Sequence, residues 1–124
     1  MDHLPKGKWA KNLSSEGRRS LVMIEDNQMI ATSSYGSSRL SRLHEYGEII
    51  SIYMLPDYMG KGYGKQLLHE TIICLKEEGY HDLYLWVLKE NHHARKFYKN
   101  AGFIQSDDVL FNSFGKISNR FKYI

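Results

Sequence analysis

Apolar residues occur in short extended runs along most of the chain, and two longer stretches show helical spacing instead. Residues 20–25 (SLVMIE) and 28–35 (QMIATSSY) have extended character and flank an Asp-Asn pair, which predicts a β-hairpin. Residues 48–55 (EIISIYML) are apolar at both odd and even positions, as in a central strand covered on both sides. Pro56 ends this strand because proline has no amide hydrogen to donate to the sheet.

Two stretches carry apolar residues three or four positions apart, which is the spacing of an amphipathic helix. The first helix is predicted over residues 63–78, where Gly79 provides a stop, and the second over residues 91–100, where Gly102 does. Between them, residues 83–88 (LYLWVL) predict a second central strand.

The two ends of the chain have weaker patterns. Residues 1–19 contain few apolar side chains, so we expect a short helix or an irregular arm there. Phe103 begins a strand, and residues 117–124 alternate as in a final, partly exposed strand. We therefore expect one α/β domain over residues 1–124, with residues 20–124 as its core. Its central sheet should be mixed and mostly antiparallel, with a βαβ unit and helices on both faces.

Composition narrows the class of protein. The 124 residues are 42% hydrophobic and 25% charged, as in ordinary globular domains, and their apolar runs are short, so we expect neither a membrane span nor a secretory leader. Cys74 is the only cysteine, so an intrachain disulfide is excluded and a metal site built on several cysteines is not expected. The absence of disulfides favours a location in the reducing cytoplasm. The net charge of +3 suits an anionic ligand but is too small to indicate nucleic-acid binding. We expect no metal, nucleic-acid or membrane partner.

The central strand runs into a turn with three glycines at alternate positions, Gly60, Gly62 and Gly64, and the first helix follows. Without side chains in the way, successive backbone N–H groups converge, and the positive end of the helix dipole adds to them. The pattern therefore predicts an anion site whose ligand carries phosphate.

Two common nucleotide-binding patterns do not fit this turn. A nucleoside-triphosphate loop needs glycine where Met59 stands and Ser or Thr where Gln66 stands. The dinucleotide pattern needs its third glycine where Lys65 stands.

Two motifs resemble the GNAT superfamily of N-acetyltransferases. Residues 59–64 (MGKGYG) are similar to its signature [QR]-x-x-G-x-[GA] at a strand-to-helix junction, with Met59 in the position of Gln or Arg. About thirty residues later, residues 90–103 (ENHHARKFYKNAGF) resemble the second signature, and the resemblance runs from about Ser20 to the C-terminus. Relatives have a strand and two helices ahead of the hairpin, so the resemblance implies an N-terminally shortened fold.

The resemblance implies an enzyme that moves an acetyl group from acetyl-CoA to a primary amine, on a small molecule or a peptide, by direct transfer in a ternary complex. Backbone amides from Met59 to Lys65 would hold the pyrophosphate. The main chain of Met54 would pair with the pantetheine arm and polarise the thioester carbonyl. The implied cofactor contacts are Met54, Leu55, Pro56, Met59, Gly60, Lys61, Gly62, Tyr63, Gly64, Lys65, Asn91, Ala94, Phe97 and Tyr98.

The resemblance also implies catalytic roles for two side chains. Tyr98 would protonate the departing thiolate, and Glu48 would be the general base, often acting through water. Plain alternatives stay open: Tyr98 as a core tyrosine, Glu48 as a salt-bridge partner and Asn91 as a helix N-cap. His92 and His93 are adjacent and would not face one another on a helix, which disfavours a metal site there.

A second hypothesis assigns the chain a function without catalysis. A shortened acetyltransferase could be a non-catalytic domain for acyl-CoA binding or for interaction. The shortening also leads us to expect a homodimer, because a second copy would cover apolar surface that the missing part leaves exposed.

Overall fold

Seven strands and two helices form in the part of the chain that the computed structural model describes, residues 8–13, 18–111 and 116–123. The strands are β1 (Lys8–Leu13), β2 (Arg19–Glu25), β3 (Gln28–Ser37), β4 (Gly47–Met54), β5 (Leu83–Leu88), β6 (Phe103–Phe111) and β7 (Ile117–Tyr123). The helices are α1 (Tyr63–Glu77) and α2 (His92–Asn100). One-turn 3₁₀ helices occur at Ser41–Leu43 and Pro56–Tyr58.

All seven strands belong to one mixed sheet in the order β1-β2-β3-β4-β5-β7-β6. Only β4 and β5 are parallel neighbours, and α1 connects them, while the other neighbouring pairs are antiparallel. These features confirm the predicted α/β class, the mostly antiparallel sheet and the βαβ unit.

The N-terminal expectation was wrong at Lys8–Leu13, which form an edge strand and neither a helix nor an arm, so a strand that the shortened fold was expected to lack is present ahead of the hairpin. They pair antiparallel with β2, from Lys8 opposite Ile24 to Leu13 opposite Arg19. Pairing with a neighbouring strand stabilises this segment, and a pattern read along one segment does not reveal such a partner. Residues 1–7 and 14–17 of the expected arm, and the last residue of the expected final strand, lie outside the described residues.

Cross-strand pairs identify the two faces of the sheet, because directly opposed residues project to the same side. One row consists of Tyr35, Ile49, Leu85 and Phe121, each opposite the next, and we call this side the helix face. The opposite side, which we call the far face, carries a second row, Gly36, Glu48, Tyr84 and Lys122.

Both helices pack on the helix face, which corrects the expectation of helices on both faces. For α1, the hydroxyls of Thr71 and Ser33 share a hydrogen bond of 2.6 Å. For α2, Arg95 Nη1 donates to Asn119 Oδ1 at 3.0 Å. Ser33 and Asn119 each lie two residues from a member of the helix-face row, so they project to that same side. Within the described residues, no α-helix covers the far face.

The core lies between the helix face and α1. The helix buries one stripe of side chains, Leu67, Leu68, Thr71, Ile72, Cys74 and Leu75. Cys74 packs here as a small apolar residue, as its position in the pattern predicted. Neither described helix combines the length and apolar character needed to cross a lipid bilayer.

Candidate functional site

β4 and β5 separate part-way along their length and leave a gap in the sheet. Their parallel pairing spans three residue pairs, of which the last is Ile49 opposite Leu85. On its other side, β4 stays paired with β3, but the register skips Ile50. Ile50 is therefore the extra residue of a β-bulge, and such a bulge bends a strand and ends regular pairing.

The bulge changes which β4 side chains share a face. Ile49 lies on the helix face with Ile52 and Met54, because the extra residue reverses the alternation between them. Tyr53 projects to the far face and is 56% exposed. The second half of β4, after the bulge, is therefore covered on the helix face only. The run of apolar residues in the sequence had predicted that both faces of the strand would be covered.

A cavity of about 290 Å³, the gap cavity, occupies the space between the two strands. Residues 49–52 of β4 and residues 85–88 of β5 form its sides, and Asn91, Ala94 and Tyr98 close it from the direction of α2. Main chain that faces a gap of this kind has lost its neighbouring strand, so it can accept an extended ligand instead.

The main chain of Met54 points to this open edge. The Leu55 N–H donates to Ile30 O at 2.9 Å, and Met54 is paired with Ala31. These contacts identify a non-hydrogen-bonded pair of an antiparallel ladder, in which the N–H and C=O of Met54 point away from β3. Met54 therefore presents a donor and an acceptor where β5 has already diverged.

A second cavity of about 370 Å³, the loop cavity, lies next to the first. Ile52, Ala94 and Tyr98 line both of them. The remaining lining of the loop cavity comes from the end of β4, the glycine turn and α2: Met54, Met59, Gly60, Gly62, Gly64, Lys65, His93 and Phe97. The two cavities are therefore neighbours, one beside the bulge and the other beside the glycine turn.

The glycine turn uses backbone conformations that favour glycine. Gly60 has φ 76° and Gly62 has φ 88°, both in the left-handed region. Gly62 is also the N-cap of α1 and supplies no capping side chain. The first amides of α1 therefore remain available to an external acceptor.

The amides of residues 60–65 donate to no acceptor among the described residues, and the first amide of α1 with a partner is that of Gln66, which donates to Gly62 O at 3.2 Å. Met59 was expected to belong to this set, but its N–H donates to Pro56 O at 3.2 Å. The converging donors therefore begin one residue later than expected.

The first turn of α1 has no acidic side chain to offset its positive dipole end. The arrangement suits a phosphate group.

Asn91 caps α2, as one of its open interpretations predicted. Its Oδ1 accepts a hydrogen bond from the Ala94 N–H at 3.1 Å. Asn91 also lines the gap cavity. Its side-chain amide group is still free to donate, so capping does not prevent contact with a ligand.

Tyr98 lines both cavities. Its ring packs edge-on against Phe97 and Phe103, at centroid distances of 5.2 and 5.6 Å. Its hydroxyl has no hydrogen-bond partner within the described part of the chain. Burial raises the pKa of Tyr98 to about 12, so the phenol keeps its proton at neutral pH and remains a donor.

Glu48 is buried on the far face and held by two partners. Arg39 donates to it from its backbone N–H at 3.0 Å and from Nη2 at 2.6 Å, and the Tyr84 hydroxyl donates at 3.2 Å. Its side chain is 1% exposed and lines neither cavity. Burial raises the pKa of Tyr84, which keeps that hydroxyl protonated. This geometry favours the salt-bridge interpretation of Glu48.

A sequence model of the acetyltransferase (GNAT) family matches residues 2–103. The chain belongs to this family. Among its relatives is the [ribosomal protein bS18]-alanine N-acetyltransferase of Haemophilus influenzae, which is 36% identical over 97 residues. The matched region is 78% of this chain and 62% of that protein, so this chain spans less than two thirds of the relative's length.

Solved structures agree with membership of the GNAT family. The ribosomal-protein-alanine N-acetyltransferase of Brucella melitensis superimposes with a TM-score of 0.73 at 23% identity, over 88% of this chain and 70% of that one. A Bacillus subtilis acetyltransferase in complex with CoA gives a TM-score of 0.72 at 17% identity, over 88% and 78%. At these identities the similarity establishes the GNAT fold.

The structure brings most of the expected GNAT site residues together, but not all of them. Leu55, Pro56, Lys61 and Tyr63 line neither cavity, although the amides of the last two remain in the glycine turn. The Tyr63 hydroxyl instead donates to Glu25 on β2 at 3.1 Å. Sequence reasoning missed nine lining residues, namely residues 49–52 of β4, residues 85–88 of β5 and His93. No group of His, Cys, Asp or Glu in the described residues is arranged to hold a metal ion.

Proposed function

We propose that this chain is an N-acetyltransferase that moves the acetyl group of acetyl-CoA to a primary amine by direct attack in a ternary complex. One observation carries the proposal: an open strand edge, two neighbouring cavities with shared lining residues and unpaired amides at a helix N-terminus lie side by side. Acetyl-CoA has the matching order of parts, because its pantetheine arm is extended and carries amides and its diphosphate is anionic.

In this proposal the amides of residues 60–65 bind the diphosphate, and the main chain of Met54 pairs with the pantetheine arm. The thioester then lies deeper in the gap cavity, toward the bulge at Ile50. An amide of the open β4 edge polarises its carbonyl and stabilises the negative charge that develops on the oxygen. Met54 and Ile52 both point their N–H groups to this edge, because alternate residues of a strand do.

Tyr98 is the proposed proton donor to the departing sulfur. Its hydroxyl is protonated, and the residue lines both cavities. The acceptor must lose a proton before it attacks, since an ammonium group has no lone pair. Because Arg39 and Tyr84 already occupy the carboxylate of Glu48, we propose that water takes this proton and that Glu48 holds the far face in place.

The amine is proposed to approach from the far face, because α2 closes the gap from the other side. The acceptor is a small-molecule or peptide amine. The name of the Haemophilus influenzae relative makes a peptide with an N-terminal alanine the first acceptor to test.

Turnover is tested by incubating the protein with acetyl-CoA and a panel of amines that includes such a peptide. We expect release of free thiol together with an acetylated product detected by mass spectrometry. A folded sample that binds acetyl-CoA but acetylates no amine would favour the non-catalytic alternative. A folded sample that does not bind acetyl-CoA would contradict both functions.

Gly62→Ala is expected to weaken coenzyme A binding about tenfold or more. The left-handed φ of 88° costs an alanine roughly 1–2 kcal/mol, and relief of that strain would turn the amides out of their shared direction. Calorimetric titration with coenzyme A measures the effect. Gly79→Ala is the matched control, because Gly79 is also left-handed, with φ 102°, but lies at the other end of α1. It should lower stability similarly and leave the Kd unchanged.

A homodimer in the cytoplasm is our proposal for assembly and location. Half-exposed apolar side chains on the far face, Tyr53 and Ile104, support self-association, and the single cysteine supports a reducing compartment. Sedimentation velocity at several concentrations tests the dimer, and a monomer at every concentration would contradict it.

A further inference from the structure

Lys65 and His93 line the loop cavity from two different helices. Lys65 lies in the first turn of α1, and His93 in the first turn of α2. Both side chains are exposed, and the glycine turn contributes to the same wall. The cavity therefore has one basic side chain on each helix.

No acidic residue offsets these two groups at the cavity. Among the described residues that line it, there is neither an Asp nor a Glu. The rest of the lining is apolar or glycine, apart from the Tyr98 hydroxyl. A cavity with two basic groups, free amides and no carboxylate favours an anion with several oxygens, since each donor then finds its own acceptor.

His92 provides an internal comparison, because it is adjacent to His93 and also exposed. It lines a different cavity, beside Lys89 and Lys116, and not the loop cavity. Helical geometry turns neighbouring residues to different directions, so only one of the two histidines faces the glycine turn.

We propose that His93 and Lys65 form a phosphate clamp, in which both side chains contact phosphate groups of coenzyme A opposite the amides of the glycine turn. The clamp rests on the proposed function, since it assigns a further contact to the same ligand. The diphosphate and the 3′-phosphate offer the same chemistry. In either case His93 holds the ligand from α2, and the glycine turn holds it from α1.

The experiment titrates four folded proteins, wild type, His93→Gln, His93→Arg and His92→Gln, with coenzyme A, dephospho-coenzyme A and pantetheine, which carries no phosphate. His93→Gln should weaken coenzyme A binding about tenfold, because a charge-assisted hydrogen bond is lost. His93→Arg should bind at least as tightly as wild type, and His92→Gln should stay within about twofold of it. Pantetheine should bind wild type and His93→Gln equally.

The ligand series separates the possible outcomes. A loss seen for both coenzyme A and its dephospho form supports a clamp on the diphosphate, and a loss for coenzyme A alone supports a clamp on the 3′-phosphate. Unchanged coenzyme A binding in His93→Gln would overturn the clamp, as would an equal loss for pantetheine. A wild-type protein that binds none of these ligands would instead contradict the proposed function.

Discussion

Replacing Tyr98 with phenylalanine should lower kcat about a hundredfold and leave the Kd for acetyl-CoA within about twofold. The change removes a single hydroxyl from a residue that lines both cavities and keeps the ring that packs on Phe97 and Phe103. Loss of one positioned proton donor typically costs a factor of this size or more. Initial rates with saturating acetyl-CoA, together with calorimetric binding, measure the two quantities separately.

Tyr63→Phe is the matched control for this prediction. This variant also removes one tyrosine hydroxyl. Tyr63 lines neither cavity, and its hydroxyl donates to Glu25. We expect its kcat to stay near the wild-type value. An unchanged kcat in Tyr98→Phe would contradict the proton-donor role and leave Tyr98 as a core residue.

Glu48→Gln should lower the free energy of unfolding by about 1–2 kcal/mol, because Arg39 and Tyr84 lose a charged acceptor while water solvates the Arg39 side chain, which is 45% exposed. The carboxylate is 1% exposed and receives hydrogen bonds from Arg39 and Tyr84. Glutamine keeps the shape but loses the charge and one acceptor oxygen. Urea unfolding measures the effect, and a lower midpoint with an unchanged slope is expected.

Glu45→Gln provides the control, because Glu45 is an exposed carboxylate in the turn that leads into β4, three residues before Glu48. Its substitution should change stability by less than about 0.5 kcal/mol. The general-base role predicts a different result for Glu48→Gln, namely near-normal stability with a large loss of kcat in the folded protein. The two measurements on one variant therefore distinguish a base from a structural ion pair.

Elements that depend on local sequence could be predicted well. The Asp-Asn turn between β2 and β3 has φ values of 54° and 62°, the left-handed pair that a tight hairpin requires. Both helices follow from apolar spacing and their glycine stops. β1 and the bulge could not be predicted, because each depends on the partner strand. The bulge also hid the true alternation of β4, from which cover on both faces had been inferred.

The residues of the candidate site also differ in whether the sequence alone could predict them. The glycine turn was predictable because its conformation and its free amides arise within a few consecutive residues. The partner of Glu48 was not, because Arg39 reaches it from a loop that folds across the far face. His93 was missed although helical spacing distinguishes it from His92: His93 lies four residues before Phe97, on the apolar side of α2, and His92 lies four before Lys96. The packing of α2 then places that side against the loop cavity.

The short β4–β5 junction divides the sheet into four strands on one side and three on the other. Three residue pairs, the α1 crossover and side-chain contacts such as Tyr84 with Glu48 and Arg42 with Asp108 join the two sides. A pantetheine arm lying in the gap would supply the hydrogen bonds that a strand would otherwise make. Amide protons along the gap should therefore exchange slowly with coenzyme A present and quickly without it.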